Sequence, residues 1–198
     1  MKAEDAAELI ESDTVRNKFK QRAAMLIAFL AMLLAVTGLG GQNATKEALN
    51  SNILAANDFA FYQAKNIRQT DFLLAADQIE LAWAASGLSD EAKAQLGKKV
   101  ADYRATIERY ESDPKTGEGK KELLARARSH EANRDHALKQ DPYFDYSEAL
   151  LQIAIVLISV SIVAEIIWLA WFGAALGGLG GLLMANGFLL LVTVPGLS

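Results

Sequence analysis

Two stretches of this chain carry almost no charge, and a third is crowded with it. Residues 23–45 contain no charged side chain and residues 149–198 contain only Glu165, whereas 46–148 hold fifteen Lys/Arg against eighteen Asp/Glu. The run from Ala23 to Gly41 is uncharged and, at about 1.5 Å per residue, makes a helix of roughly 28 Å, the thickness of a bilayer's hydrocarbon core. It reads as a span and not as a cleaved leader, because the residues before it carry five acids and no Ala-x-Ala site follows. The last fifty residues are too long for one span and predict two, with a turn either at Ala164-Glu165-Ile166 or near Gly173–Gly178. The first position is preferred, since it sets the lone carboxylate at a membrane surface, with Trp168 and Trp171 as interfacial anchors.

Between the spans, 45–85 lack proline and glycine. Apolar or small residues recur at Leu49, Ile53, Ala56, Ala60, Ile67, Leu74 and Leu81, a narrow helical seam expected to pack against helices of the same insert. The aromatics Phe59, Phe61, Tyr62, Phe72 and Trp83 widen that surface and are expected in the core. Gly87 ends the helix, and Ser89 with Asp90 and Glu91 starts a second one that runs to about Ser112. Asp113 to Gly119 reads as a turn, Lys120–Lys139 as a third helix, and Asp141-Pro142 as the cap and first-turn proline of the second span.

The fold class that follows is an all-α membrane protein: three transmembrane helices with a helical, coiled-coil-like insert between the first and second. The expected divisions are a cytoplasmic segment 1–22, spans at 23–42, 142–164 and 167–191, and an extramembrane domain 43–141. Arg16, Lys18, Lys20 and Arg22 precede the first span, with only Lys46 in the twenty positions after it, so the positive-inside rule puts the N-terminus in the cytoplasm and 43–141 in the periplasm.

Charge and composition narrow the partners. A net charge of −4 with both signs mixed provides no basic face for nucleic acid. The chain has no cysteine, which removes disulfides and thiolate ligands. His130 and His136 lie about 240° apart around a helix and do not converge on a metal. No phosphate loop, nucleophile elbow or His-Glu-x-x-His occurs, so neither a catalytic residue nor a cofactor is assigned.

Three sets of residues remain as candidates. Gly173, Gly177, Gly181 and Ala185 recur every fourth residue and suit close helix packing within or between copies, with homo-oligomerisation the expected outcome and the bilayer itself the first partner. Tyr62, Gln63, Lys65, Asp135 and His136 come from helices expected to be antiparallel and could form a polar cluster. Glu165, with Gln152 and Asn186, would line a pathway if buried. The leading expectation is a non-enzymatic scaffold of the inner membrane, with an envelope protein as a further partner; the alternative is a subunit of a small channel or transporter.

The stretch Asn57-Asp-Phe-Ala-Phe-Tyr-Gln-Ala-Lys-Asn-Ile-Arg-Gln69 and the later Arg134-Asp-His-Ala137 resemble the domain-of-unknown-function 4337 family of bacterial membrane proteins, over about residues 17–190. The resemblance implies the same layout of one span, a helical insert and a closing two-span hairpin, and it implies no activity. Family members tend to carry basic residues before Trp in the last turn, where this chain has Glu165-Ile-Ile ahead of Trp168.

Overall fold

The computed structural model describes residues 14–84 and 87–195 with their side chains, together with the backbone of 3–13 and Ala85. Four helices and no strand occur among the described residues: α1 (Ala3–Ala85), α2 (Asp90–Glu111), α3 (Lys120–Ala164) and α4 (Ile167–Leu189). Three of them, α1, α3 and α4, are long and apolar enough to cross a membrane. The chain divides into two compact units, one made of Met1–Ala48 with His136–Ser198 and the other of Leu49–Asp135.

The first correction concerns where helices stop. A short first span followed by a separate insert helix was expected, yet α1 continues for 83 residues through Gly40-Gly41. Glycine in a helix costs about 1 kcal/mol relative to alanine but does not break it. Gly40 is there because an aromatic ring fills the space: a Cβ on it would lie 2.6 Å from Phe144 Cε1 and 2.9 Å from Phe188 Cζ. Likewise Pro142 sits inside α3 and does not begin a helix. The backbone bond that proline removes is offset by the burial of Tyr143 and Phe144 next to it, each 2% exposed. Asp141 does not cap a helix either; its carboxylate accepts from the Thr45 hydroxyl at 2.9 Å.

In the terminal unit the core is Ala23 and Leu30 of α1 with Leu151, Ala154 and Ile158 of α3, and Leu176 of α4 packs against it. One polar chain runs through this apolar interior. Thr37 and Ser147, both fully buried, are 3.4 Å apart, and the Ser147 hydroxyl donates to the Gly180 carbonyl at 2.8 Å while Thr37 donates to that of Leu33 at 2.9 Å. Each buried hydroxyl thus has an acceptor, as burial in such a medium demands. The break between α3 and α4 falls at Glu165, whose φ is +57°.

In the insert unit α2 starts as its sequence suggests: the Ser89 hydroxyl accepts from the Ala92 N–H at 3.3 Å, with Asp90 and Glu91 in the first turn. The loop to α3 is closed by Glu122, which accepts from the Ser112 hydroxyl at 2.6 Å and the Asp113 N–H at 3.1 Å. A side chain at Gly119 would collide with that carboxylate and with the Asp113 backbone nitrogen. Leu123 and Ala127 are fully buried in this unit, and Phe72 stacks obliquely on Tyr103 and Tyr110, with ring centroids 5.2 and 5.9 Å away.

The second correction is which face of α1 is inside. The expected seam is outside: Leu49, Ile53, Ile67, Leu74 and Leu81 are 55–71% exposed, and Ala56 and Ala60 are exposed too. The face turned inward is Ser51, Ala55, Asp58, Tyr62, Lys65, Gln69, Phe72 and Ala76, also spaced in three- and four-residue steps and about half a turn away. Small residues at 51, 55 and 76 let helices approach closely, and the polar ones find partners, so this face wins despite its lower hydrophobicity. Phe61 and Trp83 are correspondingly exposed, contrary to the core assignment.

Candidate functional site

The glycine face of α4 is determined by helical geometry. Four buried glycines occur in α4: Gly173, Gly177, Gly180 and Gly187. A four-residue step overshoots a turn by about 40°, so a strict i, i+4 stripe rotates away from its partner, whereas seven-residue steps stay within about 20° of it. Gly173 and Gly177 therefore lie on the packing face, Gly181 sits at its edge and Ala185 is exposed. A Cβ on Gly173 would lie 2.8 Å from Ile158 Cγ1 and 3.1 Å from the Ala154 carbonyl oxygen. On Gly180 it would come within 3.0 Å of Leu151 Cγ and 3.2 Å of the Ser147 oxygen. A Cβ on Gly177 would lie 2.7 Å from Leu30, and one on Gly187 would lie 3.0 Å from the Phe144 ring. These contacts are all within one copy.

At the other end of α4, Glu165 lies in the turn with its side chain half exposed. It accepts from Lys20 Nζ at 3.1 Å and lies 3.7 Å from Arg16 Nε. The hydrogen-bonded Lys20 ammonium, with Arg16 nearby, holds its carboxyl below the usual carboxylate range. The carboxylate is thus half exposed and paired with two cations at the turn, an arrangement that suits a charge anchor. The two other pathway candidates also have structural partners. Gln152 donates to Glu148 at 3.1 Å on the surface. Asn186 donates to the Val192 carbonyl at 2.7 Å and accepts from the Val192 N–H at 2.9 Å. The Tyr143 hydroxyl completes that clamp, donating to Val192 and accepting from the Val194 N–H.

The insert's interior is a polar network. Arg126 grips Asp58 with two parallel bonds of 2.9 and 2.6 Å, and His130 Nε2 is 3.8 Å from the same carboxylate. The Arg126 hydrogen bonds and charge hold the Asp58 carboxyl low in spite of its burial, and Asp58 in turn raises the guanidinium. Further along, Gln69 donates to the Ile107 carbonyl and to Glu111. Lys120 pairs with Glu111 at 3.0 Å, donates to Asn66 at 3.1 Å and lies 5.7 Å over the Tyr62 ring. Lys65 pairs with Glu118 at 3.4 Å beside the Tyr110 ring.

Of the predicted cluster, Tyr62 and Lys65 therefore belong to this network. Gln63 points outward, and Asp135 is exposed beside Arg134. The antiparallel register sets Tyr62 against Lys120 and Asn52 against Arg134, so Asp135 is roughly 20 Å further along α3 than Tyr62. His136 is exposed and falls in the terminal unit. Among the described residues no group of three or more His, Asp or Glu is placed to hold a metal ion. Asp58, Gln69 and Arg126 were not singled out from the sequence, although the three- and four-residue steps through Ser51, Ala55, Asp58, Tyr62, Lys65 and Gln69 were readable there.

The molecule that emerges is an all-helical one in which three helices are long and apolar enough to span a bilayer, with a polar-cored helical insert interposed. The chain belongs to the family DUF4337, a domain of unknown function, whose model matches residues 19–190. Neither a curated protein nor a solved structure matches it.

Proposed function

We propose that this is a non-enzymatic integral membrane protein that self-associates and acts as a scaffold or interaction protein in the bacterial inner membrane. The observation that carries the reading is the outer face of α1 in the insert. Ile53, Ala60, Ile67, Leu74 and Leu81 are all exposed at seven-residue intervals, the repeat by which two helices keep one seam in contact. Copies inserted alike in one membrane bring their α1 helices together in parallel, and the flanking positions then set Asn52 near Asn57 and Phe59 near Ala64; Gln63, Thr70 and Asp77 interrupt the second stripe, so the contact follows the single seven-residue stripe and not a full coiled coil. The basic residues 16–22 support a cytoplasmic N-terminus and a periplasmic insert, where an envelope protein could share the same face. Transport is not favoured, because Glu165, Gln152 and Asn186 all have surface or capping roles.

Single cysteines test this in a chain that has none. Cysteine at Ile53, Ile67 or Leu74 is expected to give oxidative dimers in native membranes, and cysteine at Ala55 or Ala76 to give none. Monomer alone at all three outer positions, over a range of expression levels, would sink the reading.

A further inference from the structure

A cavity of about 470 Å³ opens in the terminal unit between the 15–26 stretch of α1, Ile158 of α3 and the first two turns of α4, a size typical of small-ligand sites. Its wall is apolar, formed by Phe19 and Leu26 of α1, Ile158 of α3, and Ile167 and Trp171 of α4, and its rim carries Lys18 and Arg22. These two cations are one helical turn apart on the same side of α1. Their neighbours Arg16 and Lys20 are engaged by Glu165, but Lys18 and Arg22 have no partner among the described residues. Helix α4 begins at Ile167, on the cavity wall, with no side-chain cap, so its positive dipole end adds to the potential there. An apolar slot with an unneutralised dicationic rim complements a molecule with a hydrocarbon tail and an anionic head.

We propose that this cavity binds one anionic phospholipid of the surrounding bilayer, with an acyl chain along Phe19, Leu26 and Trp171 and the phosphate on Lys18 and Arg22. Close to a membrane surface each such cation favours an anionic headgroup by about fivefold, so the two together select it from a zwitterionic background by more than tenfold. The cavity makes the site specific, because charge alone would attract lipid to the surface without holding a chain. The proposal rests on the bilayer reading above but not on self-association.

The test uses the full chain with Trp83 and Trp168 changed to Phe, leaving Trp171 as the only tryptophan. It is reconstituted in vesicles of zwitterionic phosphatidylcholine containing a minor fraction of phosphatidylglycerol, with bromine on the acyl chains of one lipid or the other. Brominated phosphatidylglycerol is expected to quench Trp171 well beyond its share of the lipid. Lys18→Gln and Arg22→Gln should each reduce that excess about fivefold. Ala174→Phe, which fills the cavity and leaves both charges in place, should abolish it, with helicity by circular dichroism confirming that each variant is folded. Equal quenching by both lipids overturns the lipid site alone; an excess that survives Ala174→Phe reduces it to surface attraction. Loss of the excess on adding millimolar inorganic phosphate would assign the rim to free phosphate. Absence of quenching by either lipid overturns the bilayer reading itself.

Discussion

Helix α1 takes part in both units with the same three- and four-residue rhythm but opposite chemistry. In the terminal unit its inward residues are Ala23, Leu30, Thr37, Gly40 and Ala44, and glycines of α4 bring that helix close to α3 and, at Gly177, to Leu30. In the insert its inward residues include Asp58, Lys65 and Gln69, held by a bidentate arginine, ion pairs and ring contacts. The contrast fits the bilayer reading proposed above. In a medium as apolar as the side chains, burial of leucine gains little and close contact through small residues holds helices together. Where water is outside, polar residues can line an interior only if each is matched, and here each is: no buried side-chain nitrogen or oxygen lacks a partner among the described residues.

The largest effect that separates the two regions is expected at the glycines. Gly173→Val or Gly180→Val should lower stability by about 3 kcal/mol, since the added carbons meet Ile158 and Leu151 and the α3 backbone. Gly178→Ala, in open space, should be neutral or mildly stabilising. Denaturant titration followed by circular dichroism in micelles would measure both. Comparable losses at Gly173 and Gly178 would mean that close packing does not hold this unit.

Next in size is the insert's ion pair. Asp58→Ala should cost about 1.5 kcal/mol, since it removes a two-bond pair from a buried carboxylate but leaves Arg126 half exposed and able to turn to water. The pair also predicts a pH dependence. Arg126 holds the folded-state pKa of Asp58 below its unfolded value, so its contribution is complete above about pH 4 and is lost as pH falls through the lower, folded value. Glu111, Asp113 and Glu122 are depressed in the same sense, so Asp58→Asn should flatten the acid limb of the stability curve without abolishing it. An acid limb identical to that of the parent protein would remove Asp58 from the account.

Smaller still is the contrast between neighbours on α1. With copies separated in dilute detergent, Leu74→Ala should change stability by less than about 0.5 kcal/mol, while Ala76→Leu should cost about 1 kcal/mol by overpacking. Thermal unfolding that ranks these the other way would restore the apolar seam to the interior. Smallest of all, Glu165→Gln should leave unfolding unchanged, because its partners and the carboxylate share the same solvent.

Much of this was legible in the sequence, for reasons that the same residues explain. Charge-free runs reveal membrane-length helices because length and composition alone decide that property, and Ser89, Gly119 and Glu165 mark breaks through local chemistry. The continuity of α1 through Gly40-Gly41 was not legible: two glycines read as punctuation until Phe144 is seen filling the space beside them. Nor was the choice of face on α1, since two stripes with the same rhythm lie on it and hydrophobicity points to the wrong one. Only the partners Arg126, Glu111 and Lys120, far away in sequence, make the polar stripe the better interior. The same holds for Gly180 and Gly187, which belong to the packing face through seven-residue steps that an i, i+4 search passes over.

The face of α1 is most directly tested by a nitroxide scan from Ser51 to Leu81, with single labelled cysteines and the protein diluted in detergent so that copies are separated. The account predicts immobile labels at Ser51, Ala55, Asp58, Gln69 and Ala76, and fast, oxygen-accessible ones at Ile53, Ala60, Ile67, Leu74 and Leu81. Immobile labels on the second set with mobile ones on the first would contradict it.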